Sequence, residues 1–201
     1  MARKQIAIVG AGAMARVRDR AFLDTGQADI CAVASQHLET AKLCATELNC
    51  DLYYDDFRRL VEIQPDAILI ETPHKVQDEI AIWVLESGID LLIGGSVASC
   101  LKNARQIKDL ATRQKRIVEA GYQNRYNPAW EEVRQLIQGD MLGEPIIAIS
   151  MALWKANPHS WYYDQQASGG MPLTHMIYCY LNAFRWFWAS LSVYLQPPTA
   201  K

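Results

Sequence analysis

The chain has 201 residues, of which 50% are hydrophobic and 21% charged. That balance excludes disordered, collagenous and low-complexity classes, and the length allows one large domain or one domain with part of a second. Lys plus Arg number 20 and Asp plus Glu 22, a formal charge of -2. No basic footprint for nucleic acid and no acidic tail is present.

Gln5–Val9 (QIAIV) reads as a strand buried on both faces, and the apolar stretch around it is too short for a signal-peptide core. A helix follows to about Asp24. Asp29–Ser35 reads as a second strand and His37–Asn49 as a helix. Ala67–Glu71 is a strand, Val76–Glu86 a helix closed by Gly88, and Asp90–Ile93 a strand. Leu101–Gln114 is a helix and Arg116–Ala120 a strand. This βαβα rhythm predicts an α/β fold, a doubly wound parallel sheet covered by helices on both faces.

The rhythm changes near Gly121. We place a first domain at 1–121 and a partial α+β second domain at 122–201. Asn127-Pro128 starts a helix to about Gln138, near Gly139. Pro145–Trp154 reads as a long strand, 155–171 as a polar and aromatic loop, Pro172–Trp188 as a helix and Leu191–Gln196 as a last strand. Met176–Leu195 has the length of a membrane span, but Arg185 and Asn182 lie in its middle. A central Arg costs at least ~2.5 kcal/mol there, so no membrane partner is expected.

Five cysteines, none at C-x-x-C spacing, argue against a disulfide framework or zinc cluster and for free thiols in a reducing, cytoplasmic compartment. His159, Asp164 and His175 fit no strong metal spacing, and no metal is expected.

Gly10-Ala11-Gly12-Ala13-Met14-Ala15 fits G-x-G-x-x-A directly after the first strand. Gly10 allows the tight turn, Gly12 lets the backbone approach a pyrophosphate, and Ala15 lets the helix pack on the strand. The helix N-terminus then faces the phosphates. The second strand carries no acid at its end. Ser35, Gln36 and His37 stand there instead and offer hydrogen bonds to a 2′-phosphate, which favours NADP over NAD.

Several segments in order resemble the glucose–fructose oxidoreductase, inositol dehydrogenase and rhizopine catabolism (Gfo/Idh/MocA) family. They are IAIVGAGAMA at Ile6–Ala15, CAVAS at Cys31–Ser35, ETPH at Glu71–His74, GYQNRYNPAWEEV at Gly121–Val133, GDMLGEP at Gly139–Pro145, SGGMPLTH at Ser168–His175 and NAFRW at Asn182–Trp186. The resemblance implies a Rossmann domain, a second domain with an open sheet over the nicotinamide, and NAD(P)-dependent oxidoreduction of a polyol or sugar-like small molecule. It also implies that Gly10, Gly12, Ala13, Met14 and Ala15 surround the pyrophosphate. Ser35 and Gln36 would then lie near the adenosine ribose, and Thr72, Pro73 and His74 would line the cleft. Gln123, Arg125 and Trp161 would lie at the nicotinamide end.

Two departures stand out. The family's Glu-Lys-Pro motif is replaced by Gly94-Gly95-Ser96. Gly95 takes the place of the lysine beside the cofactor and has no proton to give; losing a positioned acid–base group costs roughly 10²–10⁴-fold in rate. The two glycines should also loosen the turn. His175 is the surviving acid–base candidate, its ordinary pKa near 6.5 suiting a proton relay. The alternative is a catalytically impaired dinucleotide-binding relative. Second, family members continue well past NAFRW. Eleven of the 19 aromatic residues lie between Trp154 and Tyr194, which predicts an apolar patch covered in a homo-oligomer.

Overall fold

The computed structural model describes residues 2–143, 146–151, 157, 159–168 and 177–188. Contacts divide the chain into two units. One holds residues 2–121 together with the described residues between 157 and 168. The other holds the described residues of 122–151 and 177–188. The sequence reading had put 157–168 with the second.

The first unit is a six-stranded sheet with all pairs parallel, in the order β3-β2-β1-β4-β5-β6. The strands are β1 (Lys4–Val9), β2 (Ala28–Ala34), β3 (Tyr53–Tyr54), β4 (Ala67–Ile70), β5 (Asp90–Ile93) and β6 (Val118–Ala120). The helices are α1 (Ala13–Asp24), α2 (Leu38–Glu47), α3 (His74–Glu86) and α4 (Leu101–Gln114). The doubly wound parallel sheet is therefore present as expected.

Strand side chains alternate between two cores, as a period of two requires. Ala7, Val9, Ile68 and Ile70 pack on the face with Ile80, Val84 and Ile107 of α3 and α4. Ile6, Ile8, Val33 and Leu69 pack on the other face with Ala15, Ala41 and Cys44 of α1 and α2. Helices on both faces explain why these strands read as near-continuous apolar runs.

The edge strand β3 was missed. Two residues are too few to show any period, and their pairing with Val33 and Ala34 is a tertiary fact. After β3 comes a 3-10 helix, Phe57–Ile63, capped by Asp56, whose carboxylate accepts from the Arg58 N–H at 2.9 Å. It buries Leu60 completely.

The second unit contains α5 (Pro128–Gln138) and α7 (Tyr178–Trp188); the short α6 (Gln165–Ser168) belongs to the first. Asn127 caps α5, its side-chain oxygen accepting from the Ala129 N–H at 2.9 Å, with Pro128 in the first turn. Trp130 of α5 stacks on Phe187 of α7, centroids 5.5 Å apart. The strand expected at Pro145–Trp154 is not formed over its described part. Residues 146–151 are neither helix nor strand, and Ile146, Ile147, Ile149 and Met151 are exposed. Their apolar pattern suits a strand, but a strand needs a sheet neighbour, and no described residue pairs with them. The expected strand at Leu191–Gln196 and the start of the helix from Pro172 lie outside the described residues. No described helix is long and apolar enough to cross a membrane.

The loop from Gly94 to Cys100 is held firmly despite its glycines. Asp78 on α3 accepts from the Ser99 N–H at 3.0 Å, from the Ser99 hydroxyl, and from Asn103 Nδ2 at 2.6 Å. Gln77 Nε2 donates to the Ser96 carbonyl at 2.6 Å. These bonds offset the freedom that two glycines bring. Asp78→Ala leaves those donors without their acceptor and should cost about 1.5–3 kcal/mol. Denaturant unfolding would measure the loss, and hydrogen exchange should speed up at the Ser99 amide.

Candidate functional site

The C-terminal ends of β2, β1, β4 and β5 are joined by backbone hydrogen bonds that continue the sheet into the loops. Gly10 N–H donates to the Ala34 carbonyl at 2.8 Å, Glu71 N–H to Val9 at 2.8 Å and Gly94 N–H to Ile70 at 2.9 Å. The chain reverses its direction of winding between β1 and β4, which is where open α/β sheets bind ligands. Gly10 sits at that point with φ +104°, and a Cβ there would collide with the carbonyl of Glu71. Gly12 is different. A Cβ there meets nothing within 4 Å, so the space beside it is open to a ligand. Gly12 also begins α1 with no side-chain cap, leaving the first N–H groups for an anion.

A cleft of about 630 Å3 opens at this place, within the range of small-molecule sites. Of the residues expected at the cofactor, Gly10, Gly12, Ser35, Gln36, Thr72, Pro73 and Trp161 line it. Ala13 and Met14 belong to the first turn of α1 outside the lining, and Ala15 is fully buried against the sheet. His74 and Gly95 lie outside the lining as well. Gln123 and Arg125 form a 3-10 turn of the second unit, where Arg125 Nε donates to Asn182 Oδ1 at 2.7 Å. His175 lies outside the described residues. Thr72 Oγ1 is buried with no hydrogen-bond partner among the described residues, which fits a wall built to meet a polar ligand.

His74 is 3% exposed and packs edge-on against Trp161, centroids 5.5 Å apart. Its Nδ1 faces Gln77 Oε1 at 3.2 Å. Because Gln77 uses its amide nitrogen on Ser96, that oxygen accepts and Nδ1 carries the proton. Burial pushes the His74 pKa down, partly countered by Gln77 and Asp78, so the ring is neutral near pH 7. A Cβ on Gly95 would lie 2.7 Å from His74 Cε1. The space of a side chain at 95 is therefore held by an imidazole.

A similar exchange occurs at Gly94. A Cβ there would collide with Glu71 Oε1 and Arg18 Nη1, which form an ion pair across the end of the sheet. The Glu71 side chain is only 7% exposed. Burial raises its pKa, and Arg18 opposes that rise. Behind them Asp19 of α1 is fully buried, and neither of its oxygens has a hydrogen-bond partner among the described residues. Burial first, and then the Glu71 charge, push its pKa from an ordinary 3.8 to about 8. Asp19 is thus mainly protonated at neutral pH. Sequence reasoning missed Arg18, Asp19 and Glu71. The available signal was an acid at position 19, four residues after Ala15 on the face that packs against the sheet.

The far wall includes Asp55, Asp56 and Arg58 from around the missed 3-10 helix, and Glu79 from α3. Arg58 is already engaged with Asp56 at 3.5 Å and Glu79 at 3.0 Å. No group of three or more metal-binding side chains occurs among the described residues.

The switch-point cleft, the glycine turn and the uncapped helix end define a Rossmann domain built to hold a dinucleotide. Residues 4–122 match the model of the Gfo/Idh/MocA oxidoreductase family, NAD-binding Rossmann fold, and the chain belongs to that family. It is 22% identical over 173 residues to D-glucoside 3-dehydrogenase of Escherichia coli (strain K12), covering 84% of this chain and 49% of that one. It is 26% identical over 191 residues to the rhizopine catabolism protein MocA of Rhizobium meliloti, covering 92% and 57%. The chain thus spans about half the length of the curated relatives it matches. Among solved structures, GenD2 from gentamicin A biosynthesis in complex with NAD superposes with TM-score 0.80 at 18% identity, over 93% of this chain and 54% of that one. Levoglucosan dehydrogenase in complex with NADH and levoglucosan gives TM-score 0.80 at 17% identity, over 92% and 54%. These likenesses show the same fold.

Three substitutions test this site. Gly10→Ala should cost about 2 kcal/mol or more, since it combines positive φ with a backbone collision. Gly12→Ala should leave stability within about 1 kcal/mol in denaturant unfolding and act only on ligand affinity. For Asp19, the native state keeps its proton up to about pH 8 while the unfolded chain releases it near 3.8. Its contribution is therefore full below about pH 4 and is lost as pH rises to about 8. Asp19→Asn should flatten that fall in melting temperature across pH 5–8; an unchanged slope would show that Asp19 does not hold the proton.

Proposed function

We propose that this chain is an NAD(P)-dependent oxidoreductase acting on a small polyhydroxylated molecule, a sugar or polyol. The observation that carries the reading is the cleft at the β1–β4 switch point, open beside Gly12 and walled by Thr72 with its unmatched hydroxyl. Gly10, Gly12 and the first N–H groups of α1 would hold the pyrophosphate, Ser35 and Gln36 the adenosine ribose, and Thr72 and Pro73 the other half. The bound dinucleotide supplies two-electron chemistry as a hydride acceptor or donor. The protein's part is to orient substrate, exclude water and move a proton. The names of relatives such as D-glucoside 3-dehydrogenase and the inositol 2-dehydrogenases support the substrate class. Among the residues outside the described part, His175 is the acid–base candidate that the sequence supplies.

Between the two dinucleotides, the cleft wall supports NAD. The strand end lacks an acid, but Asp55, Asp56 and Glu79 bring three carboxylates to the lining against the single guanidinium of Arg58. A 2′-phosphate would meet that surplus negative charge.

All five cysteines are free thiols, which supports a reducing, cytoplasmic setting. The exposed side chains of Ile146, Ile147, Ile149 and Met151 support a homo-oligomer that covers them.

Thermal unfolding with NAD, NADH, NADP and NADPH in parallel tests the reading. A ligand at 100 times its dissociation constant adds about 2.7 kcal/mol. NAD and NADH should raise the melting temperature more than the phosphorylated pair. No rise with any of the four would end the dinucleotide reading.

A further inference from the structure

The cleft has two ends. One lies toward Ser35–His37 and Thr40 at β2, the side of the adenosine in a sheet of this winding. The other lies toward Glu71, Thr72, Pro73 and Trp161, and this is the nicotinamide half. Next to that end, just past β5, stand two glycines outside the lining. Glu71 Oε1 and Arg18 Nη1 occupy the space beside Gly94, and His74 the space beside Gly95.

Glu71 is the only carboxylate among the described lining residues of that half. Asp56 and Glu79 are committed to Arg58, and Asp55 directly precedes Asp56 in sequence. The charged and titratable groups around Glu71 come from three elements. Arg18 and Asp19 lie on α1, and Tyr162 lies on the 161–163 turn, where burial and then the Glu71 charge raise its pKa. His74 starts α3 three residues along the chain. Burial raises the Glu71 pKa, and Arg18 opposes that rise.

We propose that Glu71, held by Arg18, is the catalytic carboxylate of the cleft: its Oε atom takes the proton of the substrate hydroxyl during oxidation and returns it during reduction. This rests on the oxidoreductase reading above. In the oxidation the substrate C–H bond breaks and its two electrons leave with the hydride to the oxidised nicotinamide. The O–H bond breaks, its proton passes to Glu71, and the C=O bond forms. Glu71 takes the role that the sequence alone left to His175.

The charge makes a prediction that does not need turnover. The oxidised nicotinamide ring is cationic and the reduced ring neutral, so a carboxylate in the same cleft favours the oxidised form. Binding of NAD and NADH to the full chain would be titrated from pH 5.5 to 8.5 by calorimetry and thermal shift. In the unmodified protein the affinity for NAD should rise with pH while that for NADH stays nearly flat. Glu71→Gln, which keeps a hydrogen-bond acceptor for Arg18, should lower NAD affinity about 5- to 10-fold, remove the pH dependence that remains in an Asp19→Asn background, and leave NADH within about twofold. Glu71→Asp should restore part of the pH dependence, and it serves as the second variant if the glutamine form does not fold. Equal loss of both nucleotides in Glu71→Gln, or a pH dependence that survives in Glu71→Gln combined with Asp19→Asn, where the buried acid on α1 no longer titrates, would overturn the proposal and leave Glu71 a structural partner of Arg18. If the unmodified chain binds neither form, the oxidoreductase reading itself falls, and that is a different result from a failure confined to the variant.

Discussion

The backbone of Gly10 lies against the carbonyl of Glu71 at a distance that no Cβ permits. That close approach brings the ends of β1 and β4 together at the one place where the winding of the sheet reverses. The first turn of α1 then starts beside an open space instead of against a side chain. Ser35 at the end of β2 and Thr72 after β4 fall on the two flanks of that space. A larger residue at 10 would push β4 away, and the rest of the cleft takes its form from that strand pair.

The end of β5 is crowded despite its glycines. Two glycines stand just past it, and the space beside them is filled by groups from α1, from the residue after β4 and from α3. Arg18 and Glu71 occupy one position and His74 the other. Burying such groups costs free energy unless they are paired or hydrogen-bonded. The costs are met in part by the Arg18–Glu71 pair and by the His74–Gln77–Ser96 chain. Asp19 has no such partner among the described residues, and it responds by holding its proton.

The loop carrying those glycines is fixed from below rather than by its own sequence. Asp78 and Gln77 on α3 hold it through side chains directed at loop backbone. α3 therefore acts twice at this end of the sheet, once through His74 and once through this anchorage. The second unit is organised by aromatic contacts between α5 and α7, and by the Arg125–Asn182 bond.

The sequence by itself determined the order of strands and helices through most of the first 120 residues. Apolar runs buried on both faces and helices with one apolar face are local patterns, so Asp90–Ile93 and Leu101–Gln114 could be read to the residue. It also determined the glycine turn, whose spacing carries its own steric reason. Only the tertiary structure decided β3, which exists because β2 offers it an edge, and the exposed segment 146–151, whose strand-like pattern lacks a described neighbour. It alone decided that Arg18, Asp19 and Glu71 converge, because residues 53 positions apart meet only when α1 lies over the ends of β4 and β5. Periodicity reports which face of an element is buried. It carries no information about which charges from separate elements share that burial, and in this protein those charges meet beside one end of the cleft.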